Sequence, residues 1–453
     1  MLEASANLPL SVFIMASSCV PATPMGTAGA TLEAEDLQEL LDHPRVVGLA
    51  EVMNYPGVIQ GDPSVLAKLK AFTGRPVDGH APGVGGKALN AYVAGGPSSD
   101  HECTSPEEAL EKMRRGMTVF FREATNARNL LDLLPALTPE NRRRVALCTD
   151  DRQPPDLLDH GGIDAMIRSI VQAGVPPVEA LRLATINPAE HFGRRDRGGI
   201  APGRRADLLV VDDLEAFTVS EVYAGGILAA RNEAPTAWEL PPRPDPPRPS
   251  MRIDWSSVDI RIPARDGMAR VIEVVPHQIV TGSSTVEPAK VRGQVVSDTT
   301  RDLLKVVVVE RHVGSGRVGS GLVRGMGFKE GAIAGTVAHD HHNLIALGVD
   351  DQSILSAARR VSEMGGGLAV ARDDEVLASL PLPVGGLMSE EPIEVVRTEL
   401  ETVLRAARGL GSPLHDPFMA MSFLALEVIP SLKITDQGLV DVDAFRQVGL
   451  WTD

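Results

Sequence analysis

The chain has little of what an extracellular or membrane protein requires. Its 453 residues include three cysteines, Cys19, Cys103 and Cys148, which share no C-x-x-C spacing. An odd number of scattered thiols is typical of a reducing cytosol, so we expect a cytoplasmic protein. No apolar run approaches the roughly 20 residues that a membrane span needs, so we expect no membrane partner. The apolar stretch 8–16 lacks a basic segment before it, and we interpret it as a strand rather than a signal peptide.

Positive charge is also scarce. Lys and Arg total 44 against 60 Asp and Glu, a formal net charge of -16, and no long basic run occurs. Such a surface does not suit the phosphate backbone, so we expect no nucleic-acid partner. The chain contains no G-x-x-x-x-G-K-[ST] motif, and no Rossmann fingerprint opens a helix. We therefore reject a nucleotide-phosphate site.

The first 200 residues alternate short apolar runs with helix-period segments, which is typical of βα units around a parallel sheet. About six strand candidates can be counted, whereas a closed barrel of this kind needs eight. We predict an α/β fold, an incomplete TIM-type (β/α) barrel with a small β-domain segment and a separate α/β C-terminal domain. The strand candidates are 12–16, 46–50, 76–79, a short one before His101, 117–121 and 145–148.

Composition and turn residues suggest where the domains begin and end. We predict the barrel over 1–199, its first strands missing, and strands of the small β-domain over 200–232. Residues 233–250 contain seven prolines and are interpreted as a semi-rigid linker. Residues 251–453 are predicted to form the C-terminal domain, with a strand at 306–309 and an amphipathic helix ending at Gly409. The face of that helix carries Ile393, Val396, Leu400, Val403, Leu404 and Ala407.

Two barrel helices are predicted from their termini. Ser105 is expected to cap the first, with Pro106 in its first turn, Glu108 completing a capping box and Gly116 ending it. The second is expected over about 163–173, stopped by the glycine and proline that follow.

Four potential metal ligands follow short apolar runs. Glu51, His80 and Asp150 each end such a run, and His101 follows a short one. At the carboxyl ends of successive strands they would converge at the mouth of the barrel, where such barrels perform their chemistry. Imidazoles and carboxylates suit Fe(II), Mn(II) or Zn(II), and bound metal makes hydroxide available at neutral pH. Taken singly, each residue could instead be a turn or loop residue.

Several stretches together resemble the adenine deaminase family of the amidohydrolase superfamily, whose members are metal-dependent hydrolases. The first set lies in the predicted barrel, and the second lies in a C-terminal domain that other amidohydrolases do not share. The barrel stretches are SSCVPATP (17–24), GLAEVMNYPGV (48–58), VDGHAPG (77–83) and CTDD (148–151). The stretch ATINPA (184–189) resembles the superfamily generally. The C-terminal stretches are TVAHDHHN (336–343), LPLPVGGLM (380–388), DPFM (416–419) and LKITD (432–436).

The resemblance implies hydrolysis of adenine to hypoxanthine and ammonia at a binuclear Fe(II) or Mn(II) centre, as in purine salvage and adenine catabolism. It implies that Glu51 bridges the metals in place of a modified lysine, and that His80 and His101 bind the second metal. It implies that Asp150 ligates the first metal and shuttles the proton. It also implies a possible homo-oligomer, with adenine and water as the substrates.

Residues that touch the substrate are expected from the same motifs. A protonated carboxylic acid near the ring nitrogens would assist, and Glu102 and Glu123 are the candidates. Arg122 and Glu123 match the family's R-E-G-S-type segment, which here reads REAT. His339 and Asp340, in the C-terminal stretch, are further candidates for substrate contact. The family's small residue in that stretch is replaced by His341.

One family motif is not found in the chain. The family places a His-x-His pair on its first barrel strand, within D-G-H-x-H, and we expect that the chain begins about two βα units later. This leaves open the alternative of a truncated, catalytically inactive amidohydrolase-like protein. A related hydrolase acting on another cyclic amidine or amide is a third interpretation. The His339–Asp340–His341–His342 cluster could replace the missing pair, act as a lid or contribute to the substrate pocket, or form a polar structural turn.

Overall fold

The computed structural model describes residues 1–237, 244–245 and 248–452. These residues form two compact units. The barrel unit comprises 1–19 and 32–245, and the C-terminal unit comprises 20–31 and 246–453. The predicted proline-rich linker, 233–250, lies partly outside the described residues. No helix in the part of the chain that the structure describes is long and apolar enough to cross a membrane.

Six short parallel strands form the centre of the barrel unit, as the sequence predicts. They make two three-stranded sheets, with orders β1-β2-β3 and β4-β5-β6. Their side chains are largely buried, which explains why the sequence shows continuous apolar runs rather than alternation. The strands are β1 (Ile14–Ser17), β2 (Val46–Val52), β3 (Val77–Gly79), β4 (Ser99–Asp100), β5 (Thr118–Arg122) and β6 (Val145–Cys148).

Helices connect these strands and cover them. Their apolar faces join two buried clusters, one around β1–β3 and the other around β5–β6. The helices are α1 (Ala34–Glu39), α2 (Tyr55–Gln60), α3 (Pro63–Ala71), α4 (Gly86–Gly95), α5 (Pro106–Arg114), α6 (Leu130–Leu133), α7 (Pro154–Asp159), α8 (Ile163–Gln172), α9 (Pro177–Ala184) and α10 (Ile186–His191). Short 3₁₀ turns lie at Leu40–Asp42, Leu134–Ala136 and Arg142–Arg144.

The predicted helix termini are partly confirmed. The Ser105 hydroxyl accepts from the backbone N–H of Glu108, and Pro106 occupies the first turn of α5. The prediction of a capping box is wrong. The Glu108 carboxylate accepts from the backbone N–H of Thr104 rather than from that of Ser105, and it pairs with Lys112. The helix also ends before Gly116, at Arg114. The helix predicted at 163–173 is observed as α8, one residue shorter.

A small antiparallel sheet follows the barrel. Its strands are β7 (Leu208–Val211), β8 (Val219–Ala224), β9 (Ile227–Arg231) and β10 (Ala234–Pro235), in the order β10-β9-β8-β7. Many of its side chains are half-buried or exposed. Strands β8 and β9 are joined by a tight turn at Gly225 and Gly226, which both have positive φ.

The C-terminal unit is built on an eight-stranded mixed sheet with the order β12-β11-β16-β15-β18-β17-β19-β20. Only β11 and β16 pair in parallel among its neighbouring strands. The strands of this unit are β11 (Ala269–Val274), β12 (Thr281–Val286), β13 (Lys290–Val291), β14 (Gln294–Val295), β15 (Leu303–Val309), β16 (Val318–Arg324), β17 (Ala332–Gly335), β18 (Leu344–Gly348), β19 (Gly367–Arg372), β20 (Glu375–Pro381), β21 (Leu432–Thr435), β22 (Gly438–Asp441) and β23 (Arg446–Val448).

Helices cover both faces of this sheet. Alternate side chains of β15 enter two different cores, one packed against α11 (Asp351–Glu363) and one against α12 (Ile393–Gly409) and α13 (Pro417–Ser422). The predicted apolar face of α12 is confirmed from Val396 onward, since Leu400, Val403, Leu404 and Ala407 are buried. Ile393, in the first turn, is 39% exposed instead.

A buried lysine in β21 supplies a stability test. The Lys433 ammonium donates to the carbonyls of Ile279 (3.0 Å) and Phe423 (2.9 Å). Burial lowers its pKa to about 7, against a usual value of about 10.4. The unfolded chain therefore binds one more proton between these values, and the free energy of unfolding should rise with pH across that window.

We expect the Lys433→Met variant to lose this rise. Each pKa unit corresponds to about 1.4 kcal/mol, so the pH-dependent difference should reach several kcal/mol. Urea unfolding at pH 6 and pH 10 measures it, with Lys329→Met at an exposed position of the same unit as the control. Parallel stability profiles of wild type and Lys433→Met would show that Lys433 stays charged in the folded protein.

Candidate active site

Three predicted ligands lie together at the ends of successive strands, and the imidazoles of His80 and His101 both approach one carboxylate oxygen of Glu51. Glu51 Oε2 lies 3.2 Å from His80 Nδ1 and 2.8 Å from His101 Nε2. The two imidazole rings meet edge to face with centroids 5.4 Å apart. Glu51 lies near the carboxyl end of β2, His80 directly follows β3, and His101 directly follows β4. Parallel strands thus bring together residues that are up to 50 positions apart in sequence.

Tyr92, on α4, holds the ends of β2 and β3 together. Its hydroxyl accepts from the backbone N–H of His80 (3.0 Å) and donates to the carbonyl of Val52 (2.7 Å). The tyrosine is fully buried, and burial raises its pKa well above the usual value, so it stays protonated. Sequence reasoning missed this residue, since a tyrosine on a helix gives no signal of such a contact.

Asp100 and Lys112 form a buried ion pair that contacts the turns after β3 and β4. The Asp100 carboxylate accepts from the backbone N–H groups of Ala81 (2.8 Å) and Glu102 (2.7 Å). Lys112, on α5, lies 3.3 Å from the same carboxylate, and both side chains are fully buried. These bonds set the backbone directly after each of the two histidines. Sequence reasoning assigned no role to Asp100.

His101 belongs to two groups of potential metal ligands. The first is Glu51, His80 and His101, and the second joins His101 to the carboxylates of Glu102 and Asp150. Glu102 Oε1 lies 3.3 Å from His101 Nε2, and ligand atoms of His101, Glu102 and Asp150 lie within 4.8 Å of one another. Arg122, at the end of β5, pairs with Glu102 and lies 2.7 Å from Asp150 Oδ2. Asp150 follows β6 with a φ of 52°, a left-handed conformation uncommon for a residue with a side chain. This turn places its carboxylate beside the arginine.

Mutual attraction of charges governs the protonation of these groups. Burial alone would raise the pKa of Glu51, but His101 and His80 hold it well below the usual value. Burial alone would lower the pKa of both imidazoles, but carboxylates raise it, well above the usual value for His101. Each imidazole therefore faces carboxylates that stabilise a positive charge beside it. A metal ion can take the place of those protons, because metal binding releases protons from its ligands.

The donor set fits a divalent metal. Two imidazoles and three carboxylates surround the site, a combination that suits Fe(II), Mn(II) or Zn(II). Among the described residues, His80 Nε2 and Glu102 Oε2 are buried without a hydrogen-bond partner. A buried polar atom without a partner is costly, and coordination would satisfy it. Glu51, His80, His101, Glu102 and Asp150 are therefore the residues that could hold metal here.

The two candidate acids differ in their surroundings. Burial alone would raise the pKa of Glu102, but Arg122 and His80 hold it well below the usual value. The expectation that Glu102 is a protonated acid is thus disfavoured, because the guanidinium stabilises its ionised form. At Glu123, burial raises the pKa, and Arg128 only partly opposes this. Glu123 is the better candidate for a carboxylic acid that keeps its proton.

Arg122, a predicted substrate contact, pairs with two carboxylates of the site, and its role in substrate binding stays a prediction. Its side chain is 2% exposed, and its described ionic contacts are to Glu102 and Asp150. We expect Arg122→Met to lower the free energy of unfolding by about 3–5 kcal/mol, since Glu102 and Asp150 both lose their buried guanidinium partner. The exposed Arg143–Glu190 pair is the control, and Arg143→Met should cost at most about 1 kcal/mol. Equal losses in chemical unfolding would argue against a buried ion pair.

Comparison with known proteins supplies the family. The model of the amidohydrolase family matches residues 1–229, and the model of the adenine deaminase C-terminal domain matches residues 278–446. A protein named adenine deaminase from Desulfatibacillum aliphaticivorans is 50% identical over 453 residues, which cover 100% of this chain and 80% of that protein. The chain belongs to the adenine deaminase family.

Other members of the adenine deaminase family match over a similar length. Adenine deaminase 2 from Carboxydothermus hydrogenoformans is 47% identical over 99% of this chain and 79% of its own. An adenine deaminase from Cereibacter sphaeroides is 48% identical over 98% of this chain and 78% of its own. The resemblance drawn from sequence and the predicted fold class are confirmed by these matches. Membership of the amidohydrolase family also implies use of a divalent metal.

Within this adenine deaminase family member, the structure brings together most of the predicted site. Glu51, His80, His101 and Asp150 lie in two overlapping ligand clusters, as expected from their strand ends. Arg122 and Glu102 join them as an ion pair that sequence did not reveal. The other predicted substrate contacts, His339 and Asp340, belong to the C-terminal unit. Their role in substrate binding stays a prediction.

Proposed function

We propose that this chain catalyses the hydrolytic deamination of adenine to hypoxanthine and ammonia. The observation that carries the proposal is the convergence of Glu51, His80, His101 and Asp150 in a chain 50% identical to an adenine deaminase throughout its length. The inactive alternative is not favoured, since relatives named adenine deaminase match over nearly the whole chain. The reaction consumes one water and releases one ammonia for each adenine.

We further propose a binuclear centre of Fe(II) or Mn(II). Glu51, His80, His101 and Asp150 would hold it, with Glu51 at the centre because its carboxylate faces both imidazoles. When bound, such ions lower the pKa of water far enough to supply hydroxide at neutral pH. Arg122 would then fix Glu102 and Asp150, and Tyr92 would fix His80, so that the ligands are held before metal arrives.

Asp150 is suited to move the proton. Attack of water at C6 of adenine forms a C–O bond and releases one proton, and departure of the amino group requires one. Asp150 can accept the first and return it to the leaving nitrogen, because its side chain is still 28% exposed while Arg122 anchors one oxygen. Loss of ammonia then breaks the C6–N bond and restores the aromatic ring.

Glu123 is proposed as the acid that protonates a ring nitrogen during attack. It follows Arg122 at the end of β5, and burial raises its pKa, so it holds a proton more readily than an exposed glutamate. Protonating the ring nitrogen lets the electron pair from the broken C6=N bond settle there, and the proton that the C6 hydroxyl loses on forming the carbonyl returns to Glu123. Glu102 is proposed as a structural anion that positions Arg122.

The setting is proposed to be the cytoplasm, where the reaction would serve purine salvage or adenine catabolism. None of the three cysteines forms a disulfide, which agrees with a reducing compartment. The net charge of -16 supports a small-molecule substrate rather than nucleic acid. Assembly into a homo-oligomer remains part of the proposal.

The test is to purify the chain with added Mn(II) or Fe(II), and to follow hypoxanthine by chromatography and ammonia by a coupled assay. Asp150→Asn, purified in parallel, controls for deaminase from the expression host. We expect equal amounts of hypoxanthine and ammonia, and about two metals per chain. Adenine left unchanged by a protein carrying two metals would overturn the proposal. Activity only on another cyclic amidine would indicate the related-hydrolase interpretation.

A further inference from the structure

A segment between β1 and α1 is held by side chains from the end of the chain. We call residues Val20–Thr31 the strap; it belongs to the C-terminal unit. Thr27 donates to Asp436 through both its backbone N–H (2.8 Å) and its hydroxyl (2.7 Å). Its carbonyl accepts from the Asn343 amide at 2.8 Å. Every polar group of Thr27 therefore has a partner in the C-terminal unit.

Two more points hold the strap. The Thr23 hydroxyl donates to Glu427 Oε1 (2.7 Å), and the Met25 carbonyl accepts from the Thr435 hydroxyl (2.6 Å). Glu427 is fully buried and lies 2.5 Å from His341 Nε2. Such buried, charge-assisted contacts define the position of residues 23–27 closely.

The strap leaves no room for a larger residue at its centre. A Cβ atom on Gly26 would lie 2.4 Å from the His341 imidazole. The ring therefore packs directly on the strap backbone, and a side chain at this point would displace one or the other. Three stretches far apart in sequence, 23–27, 341–343 and 427–436, form one hydrogen-bonded set, which we call the clamp.

The residues just before the strap touch a candidate metal ligand. In the barrel unit, the Ser18 hydroxyl and the Cys19 thiol both donate to the backbone carbonyl of Glu51. Only three residues separate Cys19 from Thr23, and one of them is Pro21. Proline restricts the backbone, so a displacement at Thr23 is transmitted to Cys19 over a short and stiff connection.

We propose that the clamp is a positioning device for the metal centre: by holding the strap, it keeps Ser18 and Cys19 against the Glu51 backbone. Neither Thr23 nor Thr27 is a catalytic residue in this proposal; both act through Glu51. The inference rests on Glu51 being a metal ligand, as in the proposed function. It gives the C-terminal domain a role in metal binding.

The test compares Thr→Val with Thr→Ser in the strap. The double variant Thr23→Val/Thr27→Val removes both hydroxyls at nearly constant volume, and Thr23→Ser/Thr27→Ser restores them. Thr402→Val, which removes an exposed hydroxyl on α12, is the matched control. Hydrogen exchange of the peptide 14–31 and Mn(II) affinity, from competition with a chelator, are measured on the full chain.

We expect the double valine variant to exchange about tenfold faster in this peptide and to bind Mn(II) about tenfold more weakly, with the serine variant close to wild type. Faster exchange with unchanged Mn(II) affinity would show that the clamp only stabilises the C-terminal unit, and would overturn the proposal. Unchanged exchange would overturn it as well. Neither readout needs adenine turnover, so failure of the proposed deaminase activity would be seen separately.

Discussion

Replacing Glu51 by glutamine is expected to lower kcat/KM for adenine by on the order of 10³-fold and to reduce the metal content of the purified chain. The substitution keeps the shape of the side chain but removes the charge that both imidazoles face. A metal supplies several kcal/mol of transition-state stabilisation, and each tenfold in rate corresponds to about 1.4 kcal/mol. Loss of a shared ligand should therefore remove about 4 kcal/mol of that stabilisation, which corresponds to the 10³-fold loss.

The control for this variant is Glu39→Gln, an exposed glutamate at the end of α1 in the same unit. It should change neither metal content nor kcat/KM. Metal is measured by mass spectrometry and turnover by hypoxanthine formation. If Glu51→Gln retains two metals and wild-type activity, Glu51 is not a ligand, and the proposed centre must be built from other residues.

Replacing Asp150 by asparagine is expected to lower kcat by about 10²–10⁴-fold, the usual contribution of a positioned acid–base group. The amide can still accept a hydrogen bond from Arg122 but cannot take up the proton released by attacking water. Because the change affects proton transfer more than adenine binding, KM should change by less than about threefold. Steady-state kinetics with measured metal content separate the two effects.

The neighbouring residue supplies the matched comparison. Asp151→Asn removes the same charge one position later, outside the two ligand clusters. It should reduce kcat by less than about tenfold. Equal losses in the two variants would mean that overall negative charge, rather than the proton-transfer role of Asp150, sets the rate.

The site was predictable to the extent that its residues stand at strand ends. Glu51, His80, His101 and Asp150 follow apolar runs, and parallel strands necessarily bring their carboxyl ends to one edge. That geometry needs no knowledge of distant contacts. Strand β4 is the weakest case, because a strand of two residues leaves almost no hydrophobic pattern in the sequence. Its position was predicted from His101, the potential ligand that follows it, rather than from its own residues.

The residues that hold the backbone of the site in place were not predictable from strand ends. Tyr92 and Lys112 lie on helices, and Asp100 ends the two-residue strand β4. Each has a partner 12 to 40 positions away in sequence, as the Tyr92–His80 and Tyr92–Val52 bonds and the Lys112–Asp100 pair show. Pairing of Arg122 with Glu102 also reversed an expectation. A carboxylate that sequence allowed to be a protonated acid is held ionised, because a buried guanidinium lies beside it.

The sequence by itself determined the family, the six parallel strands, the amphipathic helix α12 and the four candidate ligands. These follow from local patterns and from which residue types can bind metal. Only the tertiary structure decided the protonation of Glu102, the anchoring of His80 by Tyr92 and the attachment of the strap to Asp436 and Glu427. Such contacts join residues as far as 409 positions apart, and chain folding rather than local preference brings them together.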